Sequence, residues 1–432
     1  PDALRFTLCV EHAPREYCVQ YRESDWDFIR RILAEDGCNF YFEHIDTAHT
    51  MVVSDDPQSR TALPGGQVLR VVDHNSGMIA DTDHIIDLCY EETIGPGRFS
   101  ARDYNYLEPS DTLDSQFGGE AQDLEIYDYP GHYENAGAGR AITQARLGAL
   151  QVPLRRARGR SCCARITPGY AIVGQHDLSE DAMFEGQLRI LEVTHTGEQP
   201  QALGEDGAGK PSSYLNEFVC MPADLPIRAP CPRKPTIPGT QTAVVTGASG
   251  EEIFTDEFGR IKVQFHWDRQ GKFDDNSSCW VRVSQAWAGP GWGALHIPRV
   301  GHEVVVAFLD GNPDRPLVIG SVYHAVHGAP THLPEKRTRS AIRSESSPGG
   351  GGNNELAFED SKGNEEVYLH AQKDLRVAVE NDAGHSVGHD ETRTVANDRT
   401  RAVGHNETLS IGKDLTSTVG NNQNETVGND KS

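Results

Sequence analysis

The chain has 432 residues, a formal net charge of −24 and nine cysteines. That length allows two to four domains, and the acidity argues against nucleic acid and anionic membrane as electrostatic partners. No run of eighteen apolar residues occurs, and the opening PDALRFTLCVEHAPREY lacks the basic and apolar regions of a signal peptide. Without an initiator Met, Pro1 reads as a cut or expression boundary, with a natural N-terminal segment expected upstream. Cys9, Cys18, Cys38, Cys89, Cys162, Cys163, Cys220, Cys231 and Cys279 are scattered and never spaced as CxxC. They read as reduced thiols of a cytosolic protein, and the vicinal pair Cys162–Cys163 as packing.

Residues 1–230 read as α+β. In ESDWDFIRRILAEDGCNFYFEH, Ser24 fits an N-cap, with Asp25 and Asp27 in the first turn and Trp26, Ile29 and Leu33 at helical spacing. Gly37 fits the stop, and Asn39–Glu43 reads as a strand. A second helix is predicted across GAGRAITQARLGALQ, before another strand. The stretch from 222 to 238 carries six prolines and reads as a linker.

Residues 231–330 hold a train of short strands. Ile261, Val263, Phe265 and Trp267 alternate with polar residues, and CWVRVSQ sets Val281 and Val283 opposite Trp280, Arg282 and Ser284. HEVVVAFLDGNPDRPLVIGSVYH reads as two strands joined at Gly-Asn-Pro-Asp. A small barrel of the OB type fits these signals. Residues 331–368 read as a connector containing a loose, mobile Gly/Ser stretch, SAIRSESSPGGGGNNE, followed by strand-like alternation.

Residues 369–432 are assigned to a repeat. From 385 the chain divides into octads: HSVGHDET, RTVANDRT, RAVGHNET, LSIGKDLT, STVGNNQN and ETVGNDKS. The third place is Val387, Val395, Val403, Ile411, Val419 and Val427; the fourth is Gly five times and Ala396 once. At about 100° per residue, eight helical steps leave a rotation of roughly 80°, so no helix face would hold the valines. Eight is even, so extended backbone returns them to one face. One buried Val gains about 1.5–3 kcal/mol, against about 8–16 kcal/mol of backbone entropy for eight residues. Several identical chains wound round a shared axis solve this more economically than a single-chain solenoid, and a homotrimer is the smallest closed arrangement. Those six residues are the expected needle core. A disordered tail or a calcium-binding nonapeptide repeat fits the strict octads less well.

ESDWDFIRRILAEDGCNFYFEH (23–44), YDYPGHY (127–133), residues 256–324 and the octads together resemble the valine-glycine repeat (VgrG) spike proteins of the type VI secretion system, similar to the hub and spike proteins of contractile phage tails. The resemblance implies a mainly β homotrimer: a phage-hub-like domain with an α+β N-terminal part, an OB-fold barrel and a C-terminal triple-stranded β-helix. It also implies a tube of Hcp hexamers beneath the base, a PAAR-repeat protein at the tip and effectors or adaptors as cargo. The target membrane would be crossed mechanically, and export from the bacterial cytoplasm would need no signal peptide.

No catalytic, cofactor or metal-binding residue is assigned. A spike-borne cell-wall hydrolase is the alternative, but a glycosidase needs a separate lobe for its carboxylate pair, and the barrel and octads leave no room for one. His324, His327 and His332 read as surface histidines. His385, His389 and His405 would bind an ion only if they turned towards a shared axis. Glycan or oligonucleotide binding by the barrel would need basic residues beside Trp280, Trp287 and Trp292; trimer packing or barrel core accounts for these tryptophans with fewer requirements.

Overall fold

The computed structural model describes residues 3–56, 61–72, 82–119, 124–176, 186–199 and 212–429. At the N-terminus, β1 (Ala3–Thr7), β2 (Asn39–Ile45) and β3 (Ala48–Ser54) form a sheet in the order β1-β3-β2. Helix α1 (Asp25–Glu35) begins where Ser24 accepts the Asp27 N–H and stops at Asp36, ahead of Gly37 at φ +73°. Its apolar stripe meets the sheet through Leu33 and an edge contact of Trp26 with Phe40, while Trp26 and Ile29 stay 43% and 40% exposed. The side chain that α1 buries completely is Arg31, held by Glu23, Glu35 and the Val19 carbonyl.

The largest sheet follows. β4 (Thr61–Ala62), β5 (Val68–Val71) and β6 (His84–Glu92) belong to it, whereas β7 (Arg98–Asp103), β8 (Leu113–Gly118) and β9 (Glu125–Asp128) make a small separate sheet. Helix α2 (Ala136–Gln151), capped by Asn135, packs on that small sheet around Phe99, Tyr133 and Leu147. The chain then returns through β10 (Arg155–Ser161), β11 (Tyr170–His176), β12 (Gln187–Glu198) and β13 (Ser213–Pro222). The large sheet runs β12-β13-β10-β6-β5-β11-β4 over a core that includes Ile85, Ile172, Ile190 and Phe218. Cys163 and Cys220 lie in this core, and all nine cysteines are free thiols.

After Pro222, the last residue of β13, the proline-rich linker has no helix or strand, but it is pinned. Arg228 donates to the Gly37 and Asp55 carbonyls, and Ile237 is buried in the core of the next domain. There β14 (Gln241–Thr246), β15 (Lys262–Phe265), β16 (Arg282–Val283), β19 (Glu303–Phe308) and β20 (Pro316–Val322) form a sheet ordered β15-β14-β19-β20-β16. A reciprocal backbone pair between Ile261 and Val281 joins the two edges and closes the barrel. The alternation read from the sequence fills it: Ile261, Val263, Phe265, Val281, Val304, Val306 and Val318 are all buried. A hairpin of β17 (Trp287–Ala288) and β18 (Gly293–Ala294) stands apart from the barrel sheet.

Beyond the barrel, β21 (Arg339–Arg343), β22 (Glu355–Glu359) and β23 (Glu366–His370) form an antiparallel meander. Between β21 and β22 the Gly/Ser stretch expected to be loose is a tied hairpin loop. Ser344 N–H donates to Asn354 O, Ser346 N–H to Gly352 O, and Gly349, Gly350 and Gly351 all take positive φ. From residue 371 to 429 the chain has no strand paired within itself and is solvent-exposed almost throughout.

Candidate functional site

Among the described residues no three His, Cys, Asp or Glu side chains converge, so the candidate site is the set of joints that link the N-terminal region, the barrel and the tail. Its first joint is the β19–β20 turn. Gly311 takes φ +68°, and a Cβ there would come within 3.2 Å of the Ile237 carbonyl oxygen, so a side chain would disturb the seat. Arg315 at the end of the turn donates from Nη1 and Nη2 to Asp103, each at 3.0 Å. The Asp103 side chain is 1% exposed and also accepts the N–H groups of Tyr104, His132 and Tyr133. The segment YDYPGHY builds that cradle: Tyr133 is buried with its hydroxyl between the Ala101 and Leu113 carbonyls, at 2.8 and 2.7 Å, and His132 Nδ1 lies 3.3 Å from Asn312 Nδ2. Asp314 accepts the Val19 N–H at 2.7 Å and pairs with Lys234 at 2.6 Å. Arg15, Arg31 and Lys234 surround Glu35, and although burial opposes ionisation, they hold its carboxyl below the ordinary value.

The second joint ties the barrel to the meander. Glu252 accepts the Ser347 hydroxyl and the Gly349 N–H, both at 2.6 Å, while Arg299 donates to the Glu345 carbonyl at 2.7 Å. The Ser347 and Gly349 donors, in that order, keep the Glu252 carboxyl below its usual range. Of these joint residues the sequence marked only those of the Gly-Asn-Pro-Asp turn and of YDYPGHY, and none of their partners. GNPDR announced a turn, but nothing local shows which distant carboxylate its arginine meets.

In the tail the backbone bends at every eighth position, at 372–373, 380–381, 388–389 and onward to 428–429. The period therefore runs two octads further back than the Val-Gly pairs do, through Gln372-Lys373 and Glu380-Asn381. Val387, Val395, Val403, Ile411, Val419 and Val427 are each between 43% and 49% exposed. Off-register Leu409 and Leu415 are 70% and 69% exposed. Six β-branched residues in nearly identical surroundings, each half open, form a seam that this chain leaves uncovered.

The models of three protein families match in this same order. Residues 1–201 match the phage tail baseplate hub, 242–323 the type VI secretion system/phage-baseplate injector OB domain, and 340–432 the bacteriophage T4 gp5 C-terminal trimerisation domain. Type VI secretion system spike protein VgrG4b of Pseudomonas aeruginosa is 41% identical over 91% of this chain and 50% of its own length. The chain belongs to the VgrG family. The actin cross-linking toxin VgrG1 of Vibrio cholerae is 39% identical over 90% of this chain and 35% of its own length. The chain thus spans about half the length, or less, of these curated relatives. A solved structure of an E. coli type VI secretion component, described as similar to the T4 tail proteins gp27 and gp5, superposes with TM-score 0.50 at 21% identity. It covers 74% of this chain and 66% of that one, and it shows the fold.

A hub-like region, an OB barrel and a tail that matches a trimerisation domain thus follow one another along the chain. Cys38 Sγ lies 3.8 Å and Asp55 Oδ2 3.2 Å from the same nitrogen, Nε2 of His12, so the three cannot relay a proton. Burial pushes the Cys38 thiol up to about 11, away from the thiolate. Cys162 Sγ stands 3.2 Å from His84 Nδ1, which also meets the Thr82 carbonyl at 2.8 Å, and among the described residues no carboxylate orients the ring. No three His, Cys, Asp or Glu side chains among the described residues converge as metal ligands do. His389 pairs with Asp390 at 2.9 Å with its side chain 92% exposed, twice the exposure of the valine seam. Trp280 stacks on Phe254 under the Lys262 ammonium, but Trp287 and Trp292 are 64% and 55% exposed on their hairpin, which excludes the barrel core as their place.

Proposed function

We propose that this chain forms the shaft and collar of a homotrimeric puncturing spike in a contractile type VI injection machine, and that its work is mechanical. The uncovered seam carries this reading. Half-open branched residues at a strict period of eight need partners that repeat with the same period, and identical chains wound about one axis provide them. The match of residues 340–432 to a trimerisation domain supports the same stoichiometry. In this reading Val387, Val395, Val403, Ile411, Val419 and Val427 line the axis. The N-terminal base sits on an Hcp tube, a PAAR-repeat protein closes the tip, and effectors or adaptors ride on the spike. Assembly takes place in the bacterial cytoplasm and export follows sheath contraction. The three regions themselves perform no catalysis.

Light scattering tests it directly. Three chains of 47.4 kDa give about 142 kDa. That mass for the whole chain, with a lower one after truncation at residue 384, is the expected result. A monomer of the full chain under the same conditions would require the needle assignment to be rebuilt.

A further inference from the structure

Three imidazoles meet where the barrel passes into the meander. His302 closes the turn before β19, and His324 and His327 lie in the loop that leaves β20. The His324 and His327 ring centroids are 4.6 Å apart, and those of His302 and His327 are 6.0 Å apart. Each end of the cluster is wired to backbone. His302 Nδ1 accepts the Arg299 N–H at 3.3 Å, and His324 Nδ1 accepts the N–H groups of Val326 and His327 at 3.2 and 3.3 Å. A ring whose Nδ1 accepts in this way is neutral with its proton on Nε2. Neither nitrogen then offers a metal a free lone pair, so the geometry selects neutral rings over metal ligation.

We propose that His302, His324 and His327 form an acid-sensitive latch between the barrel and the base of the needle. Protonating His302 or His324 puts hydrogen on Nδ1 and abolishes the amide contacts that shape the two turns. It also sets positive charges within 4.6–6.0 Å of one another, beside the Arg299 guanidinium. The neighbouring carboxylates have other partners or a smaller effect. Glu252 is taken by Ser347 and Gly349, Glu303 faces His266 at 3.9 Å, and Glu345 offsets His302 less than burial, His327 and Arg299 oppose it. Those three influences, burial first, hold His302 below its ordinary value. A base depressed in the folded chain contributes full stability above its unfolded value of 6.5, and that contribution declines as the pH drops below it. Arg299 also grips the Glu345 carbonyl, so a loosened His302 turn weakens the second joint as well as the exit loop.

Hydrogen exchange of the full chain, corrected for the intrinsic effect of pH, reads the latch. From about pH 7.5 to about pH 5, amides of 299–302 and 324–327 should lose protection about tenfold while the β14 and β19 amides do not. His327→Gln, which removes the middle charge, should reduce that loss to about twofold or less. The double variant His302→Asn/His324→Asn keeps an acceptor at each Nδ1 place without a titrating ring, and it should show the same small response even if His327→Gln perturbs the loop. Wild-type protection that is insensitive to pH, or an equal acid-induced loss in both variants, overturns the proposal.

Discussion

Arg315 reaches a carboxylate 212 positions earlier in the chain, and the contact joins the barrel to the small β7–β8–β9 sheet, which has a core of its own. Asp103 is closed off from water, while Arg315 keeps a quarter of its side chain exposed. Removing the arginine leaves Asp103 with three backbone donors and no counter-charge. The loss should lie between that of a surface pair and that of a fully buried one, about 1–3 kcal/mol. Arg315→Leu is therefore expected to lower the urea midpoint of the N-terminal region and barrel with the tail seam unchanged. An unaltered midpoint would mean that the backbone donors alone satisfy Asp103. Glu35 adds a pH dependence. Its carboxyl is held below 4.5 in the folded chain, so its contribution is complete above that pH and is lost as the pH falls below it. Glu35→Gln should lower the melting temperature at neutral pH and flatten its decline below pH 4.5; calorimetry across that range showing parallel profiles for the two proteins would count against this assignment.

At the scale of elements, the Gly/Ser loop between β21 and β22 shows how order arises where composition argues for freedom. Its glycines supply the positive φ values, and one carboxylate from the barrel supplies the acceptor. Glu252→Ala should raise the rate of proteolytic cutting within 344–354 several-fold while leaving the barrel intact, since an untied three-glycine run opens readily. Cleavage at the wild-type rate would show that the hairpin's own hydrogen bonds suffice. The same loop marks a boundary of what the sequence displays. Barrel strands were legible because burial on one face imposes a period of two, and the octads because eight residues return to one face. The Ser24 cap and the Gly37 stop were legible because capping is local. The burial of Arg31 was not, since it depends on Glu23, Glu35 and Val19 meeting around one guanidinium. The two early octads fall inside the region 369–432 assigned to the repeat, but their phase was not legible: Ala371-Gln372 and Val379-Glu380 keep the bend without the Val-Gly pair that announces it.

For the molecule as a whole, load applied at the base of the proposed spike would pass through two joints of different character. The first is a charged seat, with Asp103, Arg315, Asp314, Lys234 and Glu35 interlocked, and the second is a set of short tethers beside the histidine cluster. Beyond them the single chain buries almost nothing, so in the proposed spike any resistance of the tail to bending would come from the assembled needle. Val403, in the third of the named octads, provides the sharpest test of that dependence. If the seam faces a shared axis, Val403→Asp brings three carboxylates together where three isopropyl groups would pack, and charge enclosed without a partner is far more destabilising than a lost methyl contact. The octads beyond 403 should then lose protease protection, while 369–400 and the barrel keep theirs and the mass stays trimeric. Replacement by Ile, which keeps branching and apolar character, should restore protection. Protection of 403–429 equal to that of the wild type in the Asp variant would place Val403 on the outside of the needle, and the inward face would then have to be sought at another octad position.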